Sequence, residues 1–146
     1  MENEHEKYIR RCIELGEEAK AKGSTPVGAL VVYRDQQIAE GFEGEQYIPK
    51  PIAHAELIAV LKAIQHLGSR DLSSCILYST KEPCFMCSYL IRQTGIKALV
   101  FASRTEETGG MSSAFPILLT DSIKKWASPP VITEGVLKND CEQFLK

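Results

Sequence analysis

The chain lacks any apolar run long enough to span a bilayer as a helix. Its opening residues, Met1-Glu2-Asn3-Glu4-His5-Glu6-Lys7, are charged where a secretory signal would be apolar, so a soluble, cytoplasmic protein with no membrane association is expected. It also lacks an excess of positive charge. Lys and Arg number 17 against 19 Asp and Glu, a formal net charge of −2, so the composition carries no general nucleic-acid footprint. Aromatic residues are sparse at 8%, and the lone Trp126, close to Pro129-Pro130, reads as packing rather than base stacking. The five cysteines are odd in number, which argues against a disulfide framework, and Cys12, Cys75 and Cys141 read as free, buried thiols. Only one Cys-x-x-Cys pair is present, so a zinc ribbon, which needs two, is excluded.

What is there suffices for one folded unit. With 146 residues of which 44% are hydrophobic, the chain can build a core as a single domain, 1–146, and it shows neither repeats nor low-complexity segments. From Glu4 to Lys22, Tyr8, Cys12, Leu15 and Ala19 recur at steps of three and four, which predicts an amphipathic helix stopped by Gly23. Ala29–Tyr33 and Gln37–Phe42 flank the polar turn Arg34-Asp35-Gln36 and predict a hairpin. A loop, Glu43–Ala53, then leads to a helix from His54 to Leu67 that stops at Gly68.

The second half continues as strand Ile76–Thr80, helix Cys84–Gln93 ending at Gly95, and strand Ala98–Phe101. Alternation of strand and helix implies crossovers, and so an α/β fold with at least partly parallel pairing. Arg104–Ser113 is polar and glycine-containing, a candidate loop near a site. Phe115–Trp126 reads as partly helical around Pro116, Val131–Thr133 as a short fifth strand, and Lys138–Leu145 as a closing helix.

Two short motifs carry chemistry, His54-Ala55-Glu56 and Pro83-Cys84-Phe85-Met86-Cys87, each at a predicted helix start. An imidazole and two thiolates suit zinc, and three protein ligands leave a tetrahedral ion one open position. Cys84 and Cys87 stand three apart and share a helix face, with Pro83 suited to the first helical position. Glu56, two residues after His54, is off the ligand face and better placed to carry protons beside a bound water. Alternatives remain. A redox Cys-x-x-Cys would leave His54-x-Glu56 without a role, and a structural zinc would need a fourth ligand such as Cys12, Cys75 or His66.

His54-x-Glu56 followed by Pro83-Cys84-x-x-Cys87 resembles the signature of the zinc-dependent cytidine/deoxycytidylate deaminase superfamily. Pro26-Val27-Gly28-Ala29, Thr108-Gly109-Gly110 and Ile132-Thr133-Glu134-Gly135 are similar to segments of its tRNA adenosine, guanine and cytosine deaminase branch. The resemblance implies a three-layer α/β/α fold around a five-stranded mixed sheet. It implies one Zn2+ per chain held by His54, Cys84 and Cys87, with Glu56 as the catalytic proton carrier and a ring amine lost as ammonia. It further implies substrate contacts from the backbone N–H of Ala55, the backbone carbonyl of Glu82 and the side chain of Val27, and assembly as a homodimer or larger homo-oligomer.

Where many relatives of that superfamily carry Gly-aromatic-Asn, this chain has Gly41-Phe42-Glu43. An ionised Glu only accepts hydrogen bonds, so a substrate meeting Glu43 should offer an N–H or a hydroxyl. The charge balance favours a free amino-purine or amino-pyrimidine base or nucleoside as substrate. Adenosine in the anticodon loop of a tRNA is the alternative, and a catalytically silent zinc-stabilised scaffold a third reading.

Overall fold

A computed structural model describes residues 1–45 and 47–144 of the chain. The C-terminal end of the predicted last helix, Leu145, lies outside the described residues. The elements are α1 (Glu4–Ala21), β1 (Gly28–Tyr33), β2 (Gln36–Phe42), a single 3-10 turn (Lys50–Ile52), α2 (Ala55–Leu67), β3 (Cys75–Lys81), α3 (Phe85–Thr94), β4 (Ala98–Ser103), β5 (Val131–Thr133) and α4 (Lys138–Phe144). Among the described residues no helix is long and apolar enough to cross a membrane.

The strands form one sheet in the order β2-β1-β3-β4-β5. β1 pairs antiparallel with both β2 and β3, whereas β3, β4 and β5 run parallel, so the sheet is mixed as expected. Alternate residues of each strand leave opposite faces. Ala29, Val31, Leu77, Leu99 and Phe101 pack with Ala55, Ala59, Ala63 and Ile91 of α2 and α3. Leu30, Val32, Tyr78 and Val100 pack on the other face with Tyr8, Ile9 and Cys12 of α1 and Cys141 of α4. Both faces are covered, which gives three layers and explains why the central strands read as continuous apolar runs.

Local chemistry sets the boundaries. Asn3 caps α1 in a reciprocal capping box with Glu6, and Gly23, Gly68 and Gly95 stop three helices in the left-handed region. The hairpin turn is tighter than the predicted three residues. Only Arg34 and Asp35 lie between the strands, both at positive φ (49° and 63°), the two-residue turn whose twist suits an antiparallel pair.

Two expectations fail here. Pro83 is not the first helical residue, because α3 begins at Phe85 with Cys84 as its N-cap. Nor is Phe115–Trp126 helical; it runs as successive turns. The buried guanidinium of Arg92 explains that second failure, since it donates to the carbonyls of Ile117 and Thr120 (both 2.8 Å) and Ala127 (3.1 Å) and lies over the Trp126 ring. Carbonyls taken by a tertiary cation are withdrawn from any helical ladder.

Gly28 is where α1 meets the sheet. A Cβ there would stand 2.1 Å from the Cys12 carbonyl oxygen and 2.6 Å from the Leu15 Cβ. Gly28→Ala should therefore lower the unfolding free energy by about 1–3 kcal/mol, measured by urea titration, because backbone rather than a flexible side chain must give way.

Candidate active site

The site lies where α2 and α3 begin, beyond the carboxyl end of β3. His54 is the N-cap of α2 (φ −83°, ψ 140°) and Cys84 the N-cap of α3 (φ −72°, ψ −179°), and neither makes a side-chain cap hydrogen bond. Both extended conformations turn the side chains away from their own helices and toward one point. Cys87, at the third helical position, brings the second sulfur over the same helix end.

His54 Nδ1 stands 3.3 Å from Cys84 Sγ and 3.7 Å from Cys87 Sγ, and all three donor atoms lie within 4.8 Å of one another. A tetrahedral zinc with Zn–S of about 2.3 Å and Zn–N of about 2.0 Å sets neighbouring donors roughly 3.5–3.8 Å apart, which matches. Among the described residues no fourth His, Cys, Asp or Glu joins this group. Of the proposed alternatives for a closed site, Cys12 lies in the core on the far face of the sheet, Cys75 begins β3 at its other end, and His66 stands in the last turn of α2, away from its start.

The Cys84 thiol is pulled down to about 5 because the Cys87 thiol donates to it; burial opposes this, and the N–H groups of Cys87 and Met86 add to the lowering. A helix start thus favours the thiolate that a metal needs. Glu56 is almost fully buried at 5% exposure. Burial lifts its carboxyl to about 8, and the negative charges of Glu43 and Cys84 push the same way, against hydrogen bonds from its own N–H and the Ser79 hydroxyl.

Thr25, Val27, Glu43, His54, Glu56, Lys81, Glu82, Cys84, Thr105 and Thr108 line a cavity of about 170 Å³. Glu43 Oε1 accepts the Ala55 N–H at 3.1 Å, so the two predicted substrate contacts meet each other. Glu43 is drawn above the usual carboxylate range by burial, although that N–H and His54 pull it back. Val27 is buried at the cavity wall. The Glu82 carbonyl accepts the Thr105 hydroxyl at 2.5 Å.

Sequence reasoning missed the side chain of Glu82. Its buried carboxylate accepts the N–H groups of Thr105 (3.1 Å), Met111 (2.8 Å) and Ser112 (2.8 Å) and the Ser112 hydroxyl (2.5 Å). Burial alone would raise this group, yet those donors leave it below the usual range. Glu82 thereby pins the loop that carries Thr105 and Thr108 over the cavity. Gly109 fits against it only for want of a Cβ, which would meet Glu82 Oε2 at 2.1 Å. An acid directly before Pro-Cys, facing a Gly-Gly loop in the same chain, was the available signal. Thr25 and Lys81 carried none.

The comparisons agree with this geometry. The family described as the cytidine and deoxycytidylate deaminase zinc-binding region matches residues 2–103. This chain belongs to that deaminase family. A tRNA-specific adenosine deaminase of Haemophilus influenzae is 37% identical over 141 residues, covering 96% of this chain and 80% of its own length. The protein of that name from Aquifex aeolicus is 32% identical over 129 residues, covering 86% of this chain and 85% of its own. A guanine deaminase from Bacillus subtilis superposes with a TM-score of 0.65 at 36% identity, over 70% of this chain and 66% of that one. A structure from work on A-to-I editing by tRNA:A34 deaminases shares the fold with a TM-score of 0.85 over 94% of this chain and 98% of that one, at 22% identity.

The family is described by a zinc-binding region, and His54, Cys84 and Cys87 are positioned so that they could hold such an ion. Metal analysis should find one zinc per chain, and Cys84→Ala should abolish it. Because the folded state alone assembles the three donors, chelation should lower the thermal midpoint. A chain that takes up no zinc, or keeps it after loss of Cys84, contradicts the site.

Proposed function

We propose that the protein is a hydrolytic deaminase that removes a ring amine from a purine as ammonia, and that adenosine in a tRNA is the substrate form best supported. The observation that carries the chemistry is the buried Glu56 carboxyl beside an open three-donor zinc site in one cavity. The net charge of −2 favours a free base or nucleoside, but the tRNA-specific names of relatives spanning nearly the whole chain weigh more. The guanine deaminase likeness keeps a free purine as the second reading.

When bound, zinc lowers the pKa of water and polarises it toward hydroxide. Glu56 can take one proton from water at its carboxylate and pass it to a ring nitrogen, then carry a second, from the hydroxyl added to the ring carbon, to the departing amine. A carboxyl lifted toward neutrality by burial exchanges protons readily in both directions. Val27 and the loop pinned by Glu82 wall the cavity and limit water. The Ala55 N–H and the Glu82 carbonyl, the ring contacts implied by resemblance, stand at this wall with Glu43 and Thr105 as their partners in the free protein.

A homo-oligomer, also implied by resemblance, would find apolar surface on α3 and the segment after it, where Tyr89, Phe115, Leu119 and Ile123 are exposed.

Zinc-loaded protein should release ammonia from a purine substrate, and Glu56→Gln should cut the rate about 10²–10⁴-fold while zinc content stays at one. Inosine in an RNA hairpin after incubation marks the tRNA reading; ammonia from guanine or free nucleosides with unchanged RNA marks the second. Zinc without turnover on either leaves a scaffold. Glu43 Oε1 is used by Ala55, which leaves its second oxygen as a pure acceptor for a substrate N–H or hydroxyl. Glu43→Asn should then reorder substrates by about ten- to a hundredfold in kcat/KM, the usual effect of leaving one buried partner unpaired. An unchanged ranking removes Glu43 from substrate selection.

A further inference from the structure

We propose that Thr105 is a substrate-selecting residue of the metal cavity, its hydroxyl oxygen accepting an N–H of the ring amine, and that Glu82 is the positioning residue that holds it in that state. This rests on the deaminase reading above and specifies how that site tells an amino-bearing ring from its oxo product.

Thr105 stands at the cavity wall with Glu43, Glu56, Glu82 and the metal donors His54 and Cys84, and it is only half-buried. Glu82 grips it at two atoms. Its carboxylate Oε1 accepts the Thr105 N–H at 3.1 Å, which fixes the backbone, and its main-chain carbonyl accepts the Thr105 hydroxyl at 2.5 Å, which fixes the side chain. A carbonyl oxygen has no proton to give, so the hydroxyl is the donor at this contact, and a hydroxyl has only one proton. A ligand that reaches Thr105 Oγ1 therefore meets lone pairs. Thr25 and Thr108, the other hydroxyls of the wall, make no side-chain hydrogen bond among the described residues, so nothing sets which way they point.

The loop that carries Thr105 is fixed relative to the metal donors. Glu82 Oε2 takes the N–H groups of Met111 and Ser112, the Pro83 carbonyl takes the Gly110 N–H at 2.9 Å, and Cys84 pairs with Gly109 in an isolated bridge. Residues 82, 83 and 84 each hold one point of the loop, and the last of them is a metal donor. A ring carbon attacked at the open metal position lies beside Cys84, which brings its amine to the end of the cavity where Thr105 is held. An N–H given to Thr105 Oγ1 there heads a chain, N–H to hydroxyl to carbonyl, in which each bond polarises the next. The oxo product has no N–H on that atom and gains nothing from the chain.

Matched amino and oxo ligands test this: adenosine with inosine, guanine with xanthine, and an RNA hairpin with adenosine or inosine in its loop. Zinc-loaded Glu56→Gln protein binds them without turnover. Adding Thr105→Val keeps the side-chain shape and the backbone bond to Glu82, and should weaken the amino member of the pair that binds by about three- to tenfold while leaving the oxo member unchanged. Thr105→Ser should keep the amino affinity. Equal weakening of both members, or no change in either, overturns the role of Thr105. Glu82→Gln, with zinc still at one per chain, should show the same selective loss, and Thr105→Val should then cost little more. Losses that add in full overturn the claim that Glu82 acts through Thr105. Failure of the deaminase reading shows separately, as absence of ammonia release from protein with Glu56 intact.

Discussion

Everything in the site depends on two helix N-termini meeting over the end of a central strand without side-chain caps. An N-cap residue ordinarily satisfies one of the free N–H groups behind it. His54 and Cys84 occupy those positions without a side-chain cap hydrogen bond, and their donor atoms turn instead toward one shared point. Each helix end adds about half a positive charge, which favours thiolate ligands and offsets the charge they bring. The sheet makes this convergence rigid. β3 is flanked by β1 and β4 and buried on both faces, and it delivers Glu82-Pro83-Cys84 to the same place as the start of α2.

Much of this was legible because its causes are local. Glycines that adopt the left-handed conformation ended three helices where the periodicity of apolar residues stopped, and the spacing of His54, Glu56, Cys84 and Cys87 carried the metal chemistry. What the sequence concealed is long-range. The irregular course of Phe115–Trp126 is set by Arg92, more than twenty residues earlier, whose three bonds to carbonyls outweigh local helical preference. The two-residue displacement of the start of α3 from Pro83 is of another kind. Proline tolerates either side of a helix start, and the need to place Cys84 in an extended conformation decides between them.

Glu82 joins the two kinds of information. It stands between β3 and the cysteines at the start of α3, yet its carboxylate's four hydrogen bonds go to the loop that roofs the cavity. Loop and metal site are therefore one unit, and the Gly109 backbone has to pass where no side chain fits. A buried carboxylate with four donors holds geometry well, because losing any one donor leaves charge less satisfied in a dry place.

The charges of the cavity are unevenly placed. Glu43, Glu56 and the Cys84 sulfur crowd negative charge into a small space, and burial with mutual repulsion keeps the carboxyl of Glu56 close to neutral pH in its proton exchange. Zinc and the helix ends compensate at one side of the cavity. At the other side stands Lys81, which opposes Glu43 without pairing to it. That polarity, acceptor at one wall and cation at the next, is a property of this chain's own residues at positions 43 and 81, set within a metal site that it shares with its family.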